Sequence, residues 1–316
     1  MTVFAPPADP AAYGAYGTGR LHTSPEWNRP LYPFQGRIGG EHHPAEPGRY
    51  HLYAAHLCPW AQRAAIVRTL AGLDDVVGLS YVDDERDGRG WAFRERRGAD
   101  PVNGFAFLEQ AYDATEPGYA GHISVPVLWD RVSGRIVSNH YPDITIDLAT
   151  RFERWADPGV RLYPAELRVQ IDARNDEILR EINHGAGRVG TARTQEDYDE
   201  RRRRVVAAFE RLDAHLGERR YLVGNQPTEA DVRLWVTLAR FDLGYNPAYR
   251  ISERPLTAFP NLWAYARDLY QRPAFRDTTD FTAFGLRPAE EYPDVKRIDV
   301  PIADADWDEP HHRGEW

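Results

Sequence analysis

The order of the elements predicted between residues 48 and 152 places the strongest constraint on the fold of this 316-residue chain. Its first stretch, GRYHLYAAH, is apolar on both alternating faces, which is typical of a buried strand. The stretch after it has apolar residues at helical spacing and stops before Gly72. The complete order is strand, helix, strand, hairpin and helix, at 48–56, Pro59–Leu70, 76–83, 123–130 with 135–139, and Tyr141–Phe152. This order predicts a thioredoxin-like α/β domain.

The remainder of the chain is predicted to be mostly helical. Apolar residues recur at intervals of three and four in four stretches, Leu167–Ile182, Glu196–Leu216, Glu229–Arg240 and Leu262–Tyr270. Both ends of the chain lack a sustained period. We therefore predict an irregular N-terminal arm (1–47) and an α/β thiol-binding domain (48–152). An all-α C-terminal domain (153–287) and an irregular C-terminal extension (288–316) follow.

Charge and hydropathy exclude several classes of protein. The formal net charge of −9 argues against general affinity for nucleic acid or for an anionic membrane. No window approaches the roughly 20 uninterrupted apolar residues of a membrane span. The N-terminus lacks the basic region and compact apolar run of a signal peptide. The sequence therefore predicts a cytoplasmic protein without nucleic-acid or membrane partners.

Cys58 is the single cysteine, so an intramolecular disulfide and a cysteine-rich metal site are excluded. It begins the motif Cys58-Pro59-Trp60-Ala61, where a predicted strand ends and a helix begins. Unpaired N–H groups and the helix dipole favour the thiolate at such a position. Because Ala61 stands where a dithiol motif has its second cysteine, we expect a mixed disulfide with an external thiol. An inert, buried cysteine is the alternative.

Val125 and Pro126 lie at the start of a predicted strand. Proline is disfavoured inside a central strand, so we predict a turn into the strand with a cis peptide bond. Such a bond would present the Val125 backbone N–H and C=O to an extended, peptide-like ligand. The alternative is an ordinary edge-strand proline.

Three further patterns favour structural roles. Thr228 and Asp231 have the spacing of a helix capping box. The run Arg201–Arg204 lies at three- and four-residue spacing from acidic side chains, which is typical of a solvated helix face. The adjacent histidine pairs, at 42–43 and 311–312, stand in irregular tails without a supporting cysteine, and we predict no metal site.

A set of motifs closely resembles the Xi-class glutathione transferases, also called glutathionyl-hydroquinone reductases. The N-terminal part of this set is RYHLYAAHLCPWAQRAAIVRTLAGL, GWAF, SVPVLWD and IVSN, and the C-terminal part is TEADVRLWVTLARFD and NLWAYARDLYQ. Together they span about 48–280. The resemblance implies the glutathione-transferase architecture, reduction of glutathionyl-hydroquinones with glutathione as cosubstrate, and a homodimer.

The resemblance also implies roles for individual residues. Cys58 is the implied catalytic residue, and Trp91, Val125 and Pro126 correspond to positions that bind the thiol. Tyr245 corresponds to a tyrosine on the aromatic side, where a phenol would hydrogen-bond a quinol oxygen. Trp91 and Tyr245 also have the alternative of simple core packing.

This chain departs from the family pattern at two places. His140-Tyr141 follows IVSN where the family usually has Glu-Ser, which holds the γ-glutamyl end of glutathione. The stretch Ala186-Gly187-Arg188 lies where the family tends to have a tyrosine that lines the quinone site, and the match of Tyr292 to a third family tyrosine is poor. A carboxylate partner for an ammonium is absent at His140, so recognition of the thiol must differ there. Mycothiol, which has no γ-glutamyl group, is one candidate thiol, and glutathione held by other groups is the other.

The motifs therefore predict a thiol-dependent reductase that cleaves thiol conjugates of hydroquinones through a mixed disulfide on Cys58. Its partners would be a low-molecular-weight thiol and an aromatic quinol conjugate. Two alternatives stay open at this point. One is an omega-like thioltransferase or dehydroascorbate reductase, and the other is a non-catalytic ligand-binding module on the same fold.

Overall fold

The computed structural model of the chain describes residues 2–16 and 30–314. The chain divides into two units, Met1–Val160 and Arg161–Trp316. Parts of the two predicted irregular ends, residues 17–29 and 315–316, lie outside the described residues. None of the helices in the described ranges is long and apolar enough to cross a membrane.

Within the described ranges, the first unit contains the strands β1 (Tyr50–Ala54), β2 (Gly78–Tyr81), β3 (Val127–Asp130) and β4 (Arg135–Ser138). They form one sheet in the order β2-β1-β3-β4, in which β1 is parallel to β2 and antiparallel to β3. Every residue of β1 is buried, which confirms the prediction of a strand with two apolar faces. The predicted hairpin is formed by β3 and β4, and its turn is closed by the Gly134 N–H donating to the Asp130 carbonyl at 2.9 Å.

The helices of this unit are α1 (Pro10–Tyr13), α2 (Pro59–Leu70), α3 (Glu109–Thr115) and α4 (Tyr141–Thr150). Helix α2 has the predicted bounds and packs against β1 and α4. Gly72 adopts φ +70° just beyond its end, a conformation that glycine adopts at little cost. Helix α3 packs against β4 and was not predicted, because Ala111 and Tyr112 are its only buried residues and show no repeating apolar face.

The described N-terminal residues, predicted as part of an irregular arm, are bonded to the loop formed by residues 83–94. The Ala5 N–H donates to the Phe93 carbonyl at 2.8 Å, and the Gly88 N–H donates to the Gly14 carbonyl at 2.8 Å. The buried carboxylate of Asp87 accepts from the Asp9 N–H at 2.8 Å. The prediction of an irregular arm is wrong at one place, because the segment contains the short helix α1, and its bonds to the loop fix it in position.

The second unit contains the helices α5 (Arg168–Ile178), α6 (His184–Gly190), α7 (Gln195–Glu218), α8 (Glu229–Arg240), α9 (Asn246–Tyr249), α10 (Pro260–Tyr270) and α11 (Pro273–Arg276). Helix α8 has the predicted bounds. The predicted helix Leu167–Ile182 is instead divided, because a π-helical segment, Leu179–Asn183, joins α5 to α6. The Asn183 amide donates to the Arg233 carbonyl at 3.0 Å, which fixes this wider turn against α8.

The two structural patterns predicted in this unit are confirmed. The Asp231 carboxylate accepts from the Thr228 N–H at 2.7 Å and from its hydroxyl at 2.9 Å, and the capping box is formed. Burial raises the pKa of Asp231. In the run Arg201–Arg204, side chains pair with acidic residues one helical turn earlier, as in the pair Arg201–Asp197 at 2.5 Å.

The described part of the predicted C-terminal extension, residues 288–314, contains no helix or strand. It nevertheless packs against the helices of the second unit. The Trp307 ring lies edge-on to Trp263, with centroids 4.8 Å apart, and the Arg313 guanidinium donates to the Arg220 carbonyl at 2.7 Å.

Candidate active site

Cys58 is the N-cap residue of α2, with extended backbone angles of φ −85° and ψ 113°. Pro59 follows at the first helical position, where the missing N–H costs no hydrogen bond. The thiol is half-buried, and its S–H donates to the Val125 carbonyl with Sγ and O 3.6 Å apart. The sulfur thus lies at the positive end of a 12-residue helix, where a thiolate is favoured.

The Val125–Pro126 peptide bond is cis, as the sequence predicted. Val125 immediately precedes β3 and is buried. Its carbonyl oxygen is the group that the Cys58 thiol contacts. The structure therefore brings the thiol and the Val-Pro backbone together in the first unit.

Helix α3, which the sequence analysis missed, holds this backbone in place. The Tyr112 hydroxyl donates to the Ser124 carbonyl at 2.8 Å and accepts from the Ser124 N–H at 3.0 Å. The Asn139 amide also donates to this hydroxyl, at 3.3 Å. All three residues are buried, so a side chain of α3 fixes the residue directly before Val125.

Trp91 lies in the 83–94 loop and is buried, with 5 % of its surface exposed. Cys58 packs against the hydrophobic cluster to which Trp91 and Val125 belong. The indole has two neighbours that the sequence analysis did not identify. Its ring centroid is 6.3 Å from that of Tyr16 and 4.1 Å from the guanidinium carbon of Arg86.

His140 and Tyr141 lie at the start of α4, where His140 is the N-cap residue. The His140 Nδ1 atom is 2.8 Å from Oδ2 of Asp143, whose other oxygen is 3.2 Å from the Arg37 guanidinium. The Tyr141 ring lies 4.6 Å from that of Trp60, in the Cys-Pro-Trp-Ala motif. The Asp143 carboxylate, three residues after His140, is therefore already engaged by two side chains.

Two more ionisable residues of the first unit, Tyr32 beside the thiol and His122 beside Arg86, were not predicted from sequence. Burial and the neighbouring Tyr141 and Cys58 raise the pKa of Tyr32 above its usual range. Burial, and secondarily the charge of Arg86, lower the pKa of His122 to about 4, so its imidazole is neutral at pH 7. Tyr32 belongs to a stretch without periodicity and His122 stands alone, so neither carried a signal in the sequence.

Tyr245 lies in the second unit, at the end of a π-helical segment, Phe241–Tyr245. Its side chain is buried, with its ring centroid 6.2 Å from that of Tyr249. Ala186 is fully buried in α6, and the Tyr292 hydroxyl donates to Glu290 at 2.7 Å. Of the predicted site residues, Tyr245 alone belongs to this unit, and the others lie in the first.

No group of three or more potential metal ligands comes together among residues 2–16 and 30–314. The histidine pairs of the two tails lie within these ranges. His43 is 3.7 Å from the Asp130 carboxylate, and His311 is 4.0 Å from Asp268.

Comparison with known proteins agrees with this architecture. Residues 195–268 match the family described as glutathione S-transferase, C-terminal domain. The chain is 37 % identical to glutathionyl-hydroquinone reductase YqjG of Escherichia coli, over 85 % of this chain and 84 % of that protein. It is 40 % identical to glutathionyl-hydroquinone reductase PcpF of Sphingobium chlorophenolicum, over 69 % and 70 % of the two chains.

The fold is also similar to that of a solved relative. The glutathione-bound structure of the Escherichia coli protein YqjG superposes with a TM-score of 0.76 at 35 % identity, covering 85 % of this chain and 89 % of that one. These values confirm the predicted glutathione-transferase fold and the predicted family. The chain therefore belongs to the glutathionyl-hydroquinone reductase family, the Xi class of the glutathione transferases, and is a thiol-dependent reductase.

Proposed function

We propose that this enzyme reduces thiol conjugates of hydroquinones, with Cys58 as its nucleophile. The observation that carries this proposal is the position of the thiol. Its sulfur lies at the N-terminus of α2 and 3.6 Å from the Val125 carbonyl, beside a backbone suited to bind a peptide-like thiol.

The proposed reaction has two steps. The Cys58 thiolate attacks the sulfur of the thioether, and an S–S bond forms as the bond from sulfur to the ring breaks. The electron pair of that broken bond stays on the ring carbon, which takes up a proton, and the hydroquinone leaves. A second thiolate then attacks the mixed disulfide and restores Cys58. In sum, one conjugate and one free thiol give one hydroquinone and one disulfide.

The first unit would bind the thiol, within the predicted domain 48–152. The Val125 backbone would pair with the cysteinyl part of the cosubstrate, next to Pro126, and the Trp91 indole would cover it. Tyr245, in the predicted domain 153–287, would contact the aromatic ring, as the family resemblance implies. We likewise predict a cytoplasmic location and a homodimer.

Glutathione is the first candidate thiol, because a relative has been solved with glutathione bound. One observation favours a second candidate. At the start of α4, His140 and Arg37 both engage Asp143, so a γ-glutamyl ammonium would have to compete with them for this carboxylate. Mycothiol has no γ-glutamyl group and avoids this conflict.

The test is the conversion of a glutathionyl-hydroquinone and a mycothiol-hydroquinone conjugate, each with its own free thiol, followed by chromatography. We expect hydroquinone and the matching disulfide in equal amounts, and an intact-mass adduct on the enzyme when the second thiol is withheld. The Cys58→Ser variant should show neither. Hydroquinone release by Cys58→Ser at the wild-type rate would overturn the proposal.

A further inference from the structure

Arg86, in the 83–94 loop, lies between two aromatic rings. Its guanidinium carbon is 4.2 Å from the ring centroid of Tyr16 and 4.1 Å from that of Trp91. The two centroids are 6.3 Å apart, so the cation sits in the angle between the rings. Both distances are within the range of cation–π attraction, which holds the guanidinium in a defined place.

No carboxylate forms an ion pair with Arg86 in the described part of the chain. The nearest aspartates in sequence are engaged by other arginines, in the pairs Asp84–Arg97 and Asp87–Arg89, each at 2.6 Å. A partly buried guanidinium without an anionic partner is costly, because burial removes its hydration. Its charge is therefore available to an anion at the site.

The Cys58 sulfur is the nearby group that can become such an anion. The thiol packs against the same hydrophobic cluster that contains Trp91, the ring on which Arg86 rests. Burial lowers the pKa of Arg86, and Tyr16, the Cys58 thiolate and the Asp84 carboxylate oppose that effect. The interaction is mutual, so a guanidinium that is favoured by the thiolate favours the thiolate in return.

We propose that Arg86, held by Tyr16 and Trp91, is a positioning residue whose positive charge stabilises the thiolate of Cys58. The segment that carries Tyr16 is then part of the thiol site. This inference deepens the proposed function, because the same thiolate would be the nucleophile.

Other ionisable groups surround the thiol from the elements packed around it. They are Tyr16, Tyr32, Arg63, Asp84 and Tyr141, and His122 acts on Arg86. Tyr32 is a neutral phenol at pH 7, burial keeps the His122 imidazole neutral, and Asp84 is paired with Arg97. His56, two residues before Cys58, is stacked on Tyr81 at 3.9 Å. Arg63 is also cationic and rests on Trp60, at 4.4 Å, and its charge is unchanged in the Arg86 variants.

The test is the pH dependence of alkylation by iodoacetamide, which reports on one thiol because Cys58 is the single cysteine. The variants are Arg86→Met, which removes the charge, and Arg86→Lys, which keeps it. Arg96→Met is the matched control, since Arg96 is a half-exposed arginine of the adjoining stretch, 3.5 Å from Asp84. Circular dichroism checks that each variant is folded.

We expect the midpoint of the alkylation profile to move up by about one pH unit in Arg86→Met, as for the loss of one nearby opposite charge. Arg86→Lys should recover most of the shift, and Arg96→Met should match the wild type. A wild-type midpoint in folded Arg86→Met would overturn the proposal. Equal shifts in the Met and Lys variants would also overturn it, because packing rather than charge would then be the cause.

Alkylation needs neither glutathione nor a quinol conjugate. A shifted midpoint in an enzyme that fails to reduce hydroquinone conjugates would support the role of Arg86 and refute the proposed function. Reduction of the conjugates together with an unshifted midpoint would support the proposed function and refute the role of Arg86.

Discussion

The Tyr112 hydroxyl offers the sharpest test of how the first unit holds the backbone beside the thiol. Its one donor and two acceptor positions are filled by two hydrogen bonds with the Ser124 backbone and one with the Asn139 amide, at 2.8, 3.0 and 3.3 Å, and the Ser124 hydroxyl also lies 3.1 Å away. The Tyr112→Phe substitution keeps the ring but removes the hydroxyl, so these buried groups lose their hydrogen-bond partner. Val125 follows Ser124 directly, so the loss should also loosen the Val125 carbonyl, which accepts from the Cys58 thiol.

The magnitude follows from the number of bonds lost. At about 1 kcal/mol for each hydrogen bond, the three bonds amount to about 3 kcal/mol. A change of this size corresponds to about 150-fold in the equilibrium for local opening. A matched control is Tyr50→Phe, which removes a single bond, from the Tyr50 hydroxyl to the Pro44 carbonyl at 2.8 Å. The control should cost about 1 kcal/mol.

Hydrogen exchange with mass spectrometry is the suitable assay, because a chain of two units need not unfold in one transition. We expect peptides that cover 122–130 to exchange much faster in Tyr112→Phe, while peptides of α7, in the second unit, keep their wild-type rate. Unchanged exchange at 122–130 would refute the reasoning. A similar acceleration in α7 would show a general loss of stability and would refute it as well.

Two further predictions concern histidines. The double variant His140→Glu with Tyr141→Ser restores the Glu-Ser pair that is usual in the family. In steady-state kinetics it should lower the KM for glutathione about tenfold. A higher KM would contradict the assignment of the start of α4 to the γ-glutamyl end. His122 is buried with a pKa of about 4, below its unfolded value, so its contribution to stability is lost as the pH falls from about 6.5 towards 4. Between pH 7 and pH 5 the wild type should lose about 2 kcal/mol more than His122→Gln in the urea unfolding of the first unit, and parallel losses would refute this assignment.

The elements that carry the thiol could be predicted from local patterns in the sequence. The apolar run of β1, the spacing of α2 and the proline after Cys58 lie within one continuous stretch, so they could be predicted from neighbouring residues. Helix α3 could not, since two buried residues in seven form no periodic face.

The role of Arg86 could not be predicted from the sequence for a different reason. The stretch from Asp83 to Arg97 alternates acidic residues with arginines, and the sequence does not say which arginine lacks a carboxylate. That pairing depends on the three-dimensional path of the loop. It also depends on Tyr16, which is 70 residues earlier in the chain than Arg86.

The bonded N-terminal segment has a consequence for the order of events during synthesis. Asp9 binds a carboxylate 78 positions later, and the Tyr16 hydroxyl donates to the Ile123 carbonyl, 107 positions later, at 3.4 Å. Protein chains emerge from the ribosome with the N-terminus first. This segment therefore emerges before the 83–94 loop and Ile123 and cannot form these contacts until they follow. Until the 83–94 loop has emerged, the segment is an open chain that proteases and chaperones can reach, and until Ile123 has emerged the surroundings of Cys58 are incomplete.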